Sequence, residues 1–77
     1  MRELVEYLAQ LLVNNFKEVE IKEILGESTL VIELKVPQDE VGRVIGREGK
    51  TAQAIRTILA AAGAKSKKKV VLEIIPK

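Results

Sequence analysis

The first stretch of the chain carries apolar residues at helical spacing. They recur with a period of three to four residues and are Leu4, Val5, Leu8, Leu11, Leu12 and Phe16. This period places them on one side of a helix, which predicts an amphipathic helix over residues 2–16 with one buried face. We expect the helix to end near Asn14 and Asn15.

Two runs that alternate between apolar and charged residues follow the helix. The first covers residues 19–25 and the second covers residues 30–36, with Gly26-Glu27-Ser28 between them. Alternation with a period of two is typical of strands with one buried face, so the two runs predict a β-hairpin. In the first run Ile24 is followed directly by Leu25. Because this pair breaks the alternation, we expect a β-bulge there.

The second half of the chain returns to helical periodicity. Pro37 ends the second strand and is well placed in the first turn of a short helix that runs up to Gly46. The helical period resumes after Gly49 and continues to Gly63, where we expect the second of these helices to end. Two helices thus flank a turn with a glycine at each end.

The last predicted elements are a polar loop at residues 65–69 and a strand at residues 70–75, which Pro76 ends. The element order is α-β-β-α-α-β. Three strands and three helices in this order predict an α+β fold, in which a three-stranded sheet has three helices packed on one face. No linker or internal repeat interrupts the pattern, so residues 1–77 are expected to form one domain.

Composition narrows the function classes. The 77 residues contain no cysteine and no histidine. Disulfides and thiolate metal sites are therefore excluded, and a zinc site would lack both of the ligands that zinc favours. General acid or base catalysis at neutral pH would need other groups with shifted pKa values, so we expect no enzyme, cofactor or metal. The absence of a signal-peptide segment and of about 18 consecutive apolar residues favours a soluble, cytoplasmic protein.

The small net charge of +2 conceals an uneven distribution of charge. Residues 1–40 contain 4 basic and 9 acidic residues, a net charge of −5, whereas residues 41–69 contain 8 basic residues and only Glu48 as an acid, a net charge of +7. We therefore expect one end of the molecule to be positive and the rest to be acidic. This distribution is typical of a protein that binds a polyanion at one site.

The most informative motif is the pair of glycines at the turn between the two helices. We call residues 46–49, Gly46-Arg47-Glu48-Gly49, the glycine loop. A P-loop and a dinucleotide-binding fingerprint would both need a glycine at position 44, which is Val44. Both nucleotide-binding motifs are therefore excluded, and a G-x-x-G turn remains.

A G-x-x-G turn ahead of a helix suits a sugar-phosphate backbone. Glycines allow the main chain to turn tightly and to approach a ligand closely. The free N–H groups and positive dipole at the start of the following helix attract phosphate, and Arg47 and Lys50 add positive charge.

The segment Val44-Ile45-Gly46-x-x-Gly49, followed by a helix, resembles the hallmark of the KH family. The order α-β-β-α-α-β is similar to the type II, or prokaryotic, KH arrangement, and residues 36–59 resemble the small bacterial KhpA proteins. The resemblance covers nearly the whole chain. It implies that single-stranded RNA is the ligand, that the loop clamps about four nucleotides, and that bases lie in a groove between the loop helices and the sheet. It also implies a KhpB-type (Jag-like) protein as a partner.

The resemblance assigns roles to ten residues by position. The clamp would be Gly46, Arg47, Glu48 and Gly49. The phosphate contacts would be Arg43, Lys50 and Arg56. The residues that line or support the groove would be Ile45, Ala52 and Ile55.

Several alternatives stay open at this point. The lysine-rich residues 65–69 form either a solvated loop or a surface that attracts RNA, and Arg56 is either a contact or a solvated charge. The only aromatic residues, Tyr7 and Phe16, fall on the first helix, so no aromatic platform for bases is expected near the loop. The competing function is a KH-fold interaction module that pairs with itself or with another protein and has little RNA affinity.

Overall fold

The computed structural model describes all 77 residues. The helices are α1 (Arg2–Leu12), α2 (Val41–Ile45) and α3 (Lys50–Lys65), and the strands are β1 (Glu20–Leu25), β2 (Thr29–Val36) and β3 (Lys69–Pro76). Short 3-10 turns occupy Phe16–Glu18, Gln38–Glu40 and Arg47–Gly49. The predicted order α-β-β-α-α-β and the α+β class are confirmed.

The sheet is mixed and has the strand order β1-β2-β3. β1 pairs with β2 in antiparallel fashion as a hairpin, whereas β3 runs parallel to β2. Parallel neighbours need a crossover connection, and α2, the glycine loop and α3 supply it. The glycine loop therefore lies within the crossover and not in the hairpin.

The central strand β2 carries the inner face of the sheet. Its alternate residues Leu30, Ile32, Leu34 and Val36 are all buried, and Ile32 and Val36 are 0% exposed. The helices cover this face with a set of small and branched residues: Val5, Ala9, Val44, Ala52, Ile55 and Leu59. The prediction of a strand with one buried face at residues 30–36 is thus confirmed.

The first helix ends earlier than the apolar period predicted. α1 stops at Leu12, and Val13 is already extended (φ −105°, ψ 154°). The backbone N–H groups of Asn14 and Asn15 donate to the two carboxylate oxygens of Glu40, at 2.5 and 3.0 Å. These bonds hold the chain outside the helix, so the prediction of a helix over residues 2–16 is wrong in its last turn.

The expected bulge in the first strand is absent. The register of β1 and β2 runs without interruption from Glu20 opposite Lys35 to Leu25 opposite Leu30. The alternation fails because Ile24 is an apolar residue on the outer face of the sheet, opposite Val31, whereas Leu25 stays in phase with Ile21 and lies opposite Leu30 at the end of the strand. An apolar residue on the outer face and an extra residue produce the same irregularity in sequence.

Gly63 does not end a helix as predicted. α3 continues to Lys65, and Gly63 is buried within it. A Cβ atom at this position would lie 2.5 Å from Cγ2 of Val70 and 2.8 Å from the carbonyl oxygen of Lys68. The glycine therefore allows α3 to approach β3 closely, and its role is in packing.

No helix of the structure is both long enough and apolar enough to cross a membrane.

Candidate nucleic-acid interface

The glycine loop is held in a tight turn by its own backbone. Gly46 has φ +76° and ψ 173°, a conformation that is essentially restricted to glycine. A Cβ atom there would lie 2.1 Å from Oγ1 of Thr51, so the side chain of Thr51 fills the space beside the turn. The N–H of Gly46 donates to the carbonyl of Gly42 at 2.8 Å, and the N–H of Gly49 donates to the carbonyl of Gly46 at 3.1 Å. The shape of the loop thus depends on glycine at position 46.

Two consecutive residues of the loop adopt the left-handed conformation. Glu48 has φ +57° and ψ 24°, and Gly49 has φ +76° and ψ 9°. Glycine accepts this region without cost, whereas other residues visit it at a cost of about 1–2 kcal/mol. The Glu48 side chain makes no hydrogen bond or ion pair that would compensate. Strain is therefore localised in the middle of the loop.

The loop leads directly into α3. This helix has 16 residues and no side chain that caps its N-terminus. The positive end of the helix dipole and the N–H groups of its first turn consequently face the loop. Arg47 and Lys50, one on each side of this end, are exposed and belong to no ion pair. The arrangement favours binding of an anionic group.

The other two predicted phosphate contacts already have partners inside the protein. Nε of Arg43 lies 3.9 Å from Oε1 of Glu40. Nη2 of Arg56 donates to the carbonyl of Leu72 on β3 at 3.2 Å. Arg43 and Arg56 are still largely exposed, so each has both a structural contact and a solvent-facing surface.

The predicted groove residues differ in exposure. Ile45, at the end of α2 beside the loop, is 37% exposed. Ala52 and Ile55 are buried, at 4% and 6% exposure, on the inner side of α3. Ile45 therefore offers the apolar surface, and Ala52 and Ile55 support the helix behind it.

Glu40 is the residue whose importance the sequence analysis missed. Its side chain is buried at 5% exposure, and its carboxylate holds the turn after α1 against the start of α2. The sequence offers only a weak signal for this contact, because an acid after a proline turn is ordinarily explained by the helix dipole. The two asparagine N–H groups that it binds lie 25 and 26 residues away.

The lysine loop, residues 65–69, lies far from the glycine loop. The two are separated by the length of α3, about 22 Å for a helix of this size. Nζ of Lys68 donates to the carbonyls of Gly26 and Glu27, at 3.3 and 2.9 Å, and ties this loop to the hairpin turn. The expectation of one positive end is therefore wrong: the basic residues cluster at both ends of α3.

The concave regions of the molecule lie elsewhere. A cleft of about 310 Å³, lined by apolar residues that include Met1, Leu25 and Val70, lies beside the lysine loop. A polar depression of about 400 Å³ lies between Asn15 and Lys77. The glycine loop is thus on an open surface, which suits a polymer better than an enclosed small molecule. No group of three or more acidic side chains is close enough to hold a metal ion.

Comparison with known proteins gives one consistent result. A family model described as KhpA/KhpB, KH domain matches residues 2–74. The chain is 49% identical to the RNA-binding protein KhpA of Clostridium perfringens over 75 residues, which cover 97% of this chain and 100% of the relative. It is 51% identical to proteins of the same name from Caldanaerobacter subterraneus and Aquifex aeolicus, over 97% of this chain and 100% and 95% of those proteins. No solved structure matches the chain.

Proposed function

The chain belongs to the KhpA/KhpB family of KH domains, and from this premise we propose that it binds single-stranded RNA at the glycine loop. Residues 1–77 act in this proposal as one binding domain in the cytoplasm, with no catalytic step. The relatives that the chain resembles are named RNA-binding proteins, which supports RNA as the ligand. The geometry of the loop, which leads into a helix without a side-chain cap and is flanked by two unpaired cations, supports the assignment to residues 46–49.

The loop binds the sugar-phosphate backbone in this mechanism. Phosphate oxygens accept hydrogen bonds from main-chain N–H groups at the start of α3, while Arg47 and Lys50 neutralise charge. Neither cation has to break an internal ion pair to do so. Arg43 and Arg56 contribute from the flanks, at the cost of weakening their contacts with Glu40 and Leu72.

The surface that the bases contact offers little discrimination between one base and another. Ile45 supplies apolar area beside the loop, and the two aromatic residues of the chain, Tyr7 and Phe16, lie in and after α1. Without an aromatic platform the site cannot stack bases as RRM and single-strand-binding domains do. The preference for sequence is therefore weak, which is consistent with service as an RNA chaperone or a post-transcriptional regulator.

The experiment that tests the proposal compares two double variants with matched changes in charge. Arg47→Asp/Glu48→Asp places negative charge against the phosphates, whereas Lys17→Asp/Glu18→Asp makes the same exchange in the exposed turn after α1. Fluorescence anisotropy with a labelled single-stranded RNA measures affinity, and circular dichroism monitors folding. We expect the first variant to lose binding and the second to retain it. Equal affinity of the folded loop variant and the unchanged protein would refute the assignment.

Salt dependence provides a second test of the same mechanism. If about three phosphates are neutralised, log K falls against log salt with a slope of about −2, from about −0.7 per phosphate on single strands. An affinity independent of salt would contradict contact with the RNA backbone.

A protein partner is the second candidate function. Tyr7 and Leu11 of α1 are 59% and 65% exposed, and Ile58 of α3 is 44% exposed in a stretch from Thr57 to Ala64 that contains no charge. These apolar surfaces favour pairing with a second copy or with a KhpB-type (Jag-like) protein. Analytical ultracentrifugation of the protein and of Leu11→Glu and Ile58→Glu variants tests the first possibility. A dimer that does not bind RNA would make pairing the primary function.

A further inference from the structure

The lysine loop lies at the far end of a contact line that begins at the glycine loop. α3 starts directly after the glycine loop, ends at Lys65, and packs along β3 through Ile55, Leu59 and the close contact of Gly63 with Val70. We call this line the α3–β3 seam. Because the lysine loop joins α3 to β3, it closes the seam at the end opposite to the glycine loop.

The main chain of the lysine loop is fixed by one of its own side chains. Lys68 is half-buried and donates to two carbonyls of the hairpin turn, Gly26 and Glu27. The N–H of Lys69 donates to the carbonyl of Ser28 at 2.9 Å. The remaining lysines are thus presented from an ordered turn, so less conformational entropy is lost when they bind a ligand.

Two lysines of this loop have free positive charge. Lys65 and Lys67 are exposed, and their side chains belong to no ion pair or hydrogen bond of the structure. Lys69 differs from them, because it alternates with the inward-facing Val70 and therefore projects from the opposite face of the sheet. The acidic residue that the loop contacts, Glu27, is engaged only through its backbone carbonyl.

The α3 side of the seam carries positive charge only, and the one acid of β3, Glu73, pairs with Glu33 on the outer face of the sheet. α3 contains no acidic residue over its 16 positions, and Arg56 reaches across the seam to the Leu72 carbonyl. Arg47 and Lys50 lie at the beginning of α3, Lys65 and Lys67 lie at its end, and Arg56 is the one charged residue between them. A polyanion that spans the path between the two basic clusters meets no acidic residue of α3 on the way.

From this arrangement we infer that the lysine loop is a second phosphate-binding site, which extends the bound RNA along the α3–β3 seam beyond the four nucleotides of the glycine loop. The inference rests on the proposed function. The path of about 22 Å corresponds to about six nucleotides of stacked single strand, at 3.4 Å for each nucleotide. A tetranucleotide therefore reaches only one loop, and a decanucleotide reaches both.

The test combines RNA length with salt dependence. Binding of rU4 and rU10 is measured from about 50 to 200 mM salt by amide chemical shifts, which also register weak affinities. The unchanged protein is compared with Lys65→Gln/Lys67→Gln and with a matched control, Lys17→Gln/Lys22→Gln, which removes two exposed lysines remote from the seam. The salt slope is the decisive quantity, since a longer RNA also gains affinity from several overlapping binding registers.

We expect rU10 to show a slope steeper than that of rU4 by about 1.4, for two additional phosphates at about 0.7 each. The Lys65→Gln/Lys67→Gln variant should show the same slope for rU10 as for rU4, and should bind rU4 as the unchanged protein does. A slope difference of about 1.4 corresponds to a change of about sevenfold in relative affinity across a fourfold change of salt. The control should keep both slopes within about 0.4.

Three results would overturn the inference, and they are distinguishable. An rU10 slope that is the same in Lys65→Gln/Lys67→Gln and in the unchanged protein would remove the second site and leave the glycine loop intact as the RNA contact. Absence of binding to either RNA by the folded, unchanged protein would overturn the proposed function, and the second site with it. Equal losses in the control variant would reduce the effect to net charge and would also refute a site at the lysine loop.

Discussion

The buried carboxylate of Glu40 should be the most sensitive polar group in the fold. It is 5% exposed and accepts the backbone N–H groups of Asn14 and Asn15. Hydrogen bonds to charged groups contribute about 1.5–3 kcal/mol each, but the two asparagines are exposed, so water partly replaces the lost acceptor. We therefore expect Glu40→Ala to lower the free energy of unfolding by about 2–3 kcal/mol.

This loss would be large for a chain of 77 residues, whose total stability is about 4–12 kcal/mol at 0.05–0.15 kcal/mol per residue. The midpoint of thermal unfolding should fall by about 10 °C or more, since 1 kcal/mol corresponds to about 4–8 °C in domains of this size. Glu40→Gln should lose about half as much as Glu40→Ala. It keeps one acceptor oxygen, while its NH2 group faces the second backbone donor.

Urea unfolding followed by circular dichroism measures the effect. Glu18→Ala is the matched control, because Glu18 lies in the same region with an exposed side chain and no side-chain bond. It should stay within about 0.5 kcal/mol of the unchanged protein. The role assigned to Glu40 would be wrong if Glu40→Ala and Glu18→Ala unfolded at the same urea concentration.

Three further substitutions or titrations test other parts of the structure. Gly46→Ala should destabilise the fold by about 2 kcal/mol or more in urea unfolding, because φ at this position is +76° and an added Cβ would collide with Thr51. The control Gly42→Ala should be neutral or stabilising, because no atom lies within 4 Å of an added Cβ there. Equal effects of the two substitutions would contradict the strained turn. Glu48→Gly should raise the free energy of unfolding by up to about 1 kcal/mol, because glycine adopts the left-handed conformation of this position without strain. It should also tighten RNA binding, because it removes a negative charge from the loop. A loss of stability would refute the strain at Glu48. The hydrogen bond and charge of Lys77 lower the pKa of Glu20, so the stabilisation that Glu20 provides is present above its unfolded-state pKa and is lost as the pH falls through the lower folded-state value. An NMR titration should find the pKa of Glu20 raised in Lys77→Gln, where only the charge of Lys35 still lowers it, and an unchanged Glu20 titration in that variant would contradict the assignment.

The features predicted correctly from the sequence are those fixed by neighbouring residues. The alternation at residues 30–36 identified a strand with one buried face, because a period of two places every second side chain on the inner face. Gly46 and Gly49 identified the turn, because both have positive φ values that the local backbone requires. The order of elements follows from such local patterns.

The features predicted wrongly depend on residues distant in sequence. α1 ends at Leu12 because Glu40 binds the next turn, and no pattern within residues 2–16 contains that contact. Gly63 was expected to end a helix, but it is needed where α3 passes close to Val70. The split of the basic residues between two ends follows from the rigid length of α3, which a count of charge by segment does not consider.

The structure also separates the residues that shape the candidate site from those that would contact RNA. The turn is fixed by Gly46, its backbone bonds and the side chain of Thr51, whereas the side chains of Arg47 and Lys50 make no internal bond. Substitution of these two cations should therefore change RNA affinity without changing the free energy of unfolding. Arg43 and Arg56 hold Glu40 and Leu72, so their substitution would alter the fold and the charge together. A loss of RNA binding is therefore direct evidence of contact only when Arg47 or Lys50 is substituted.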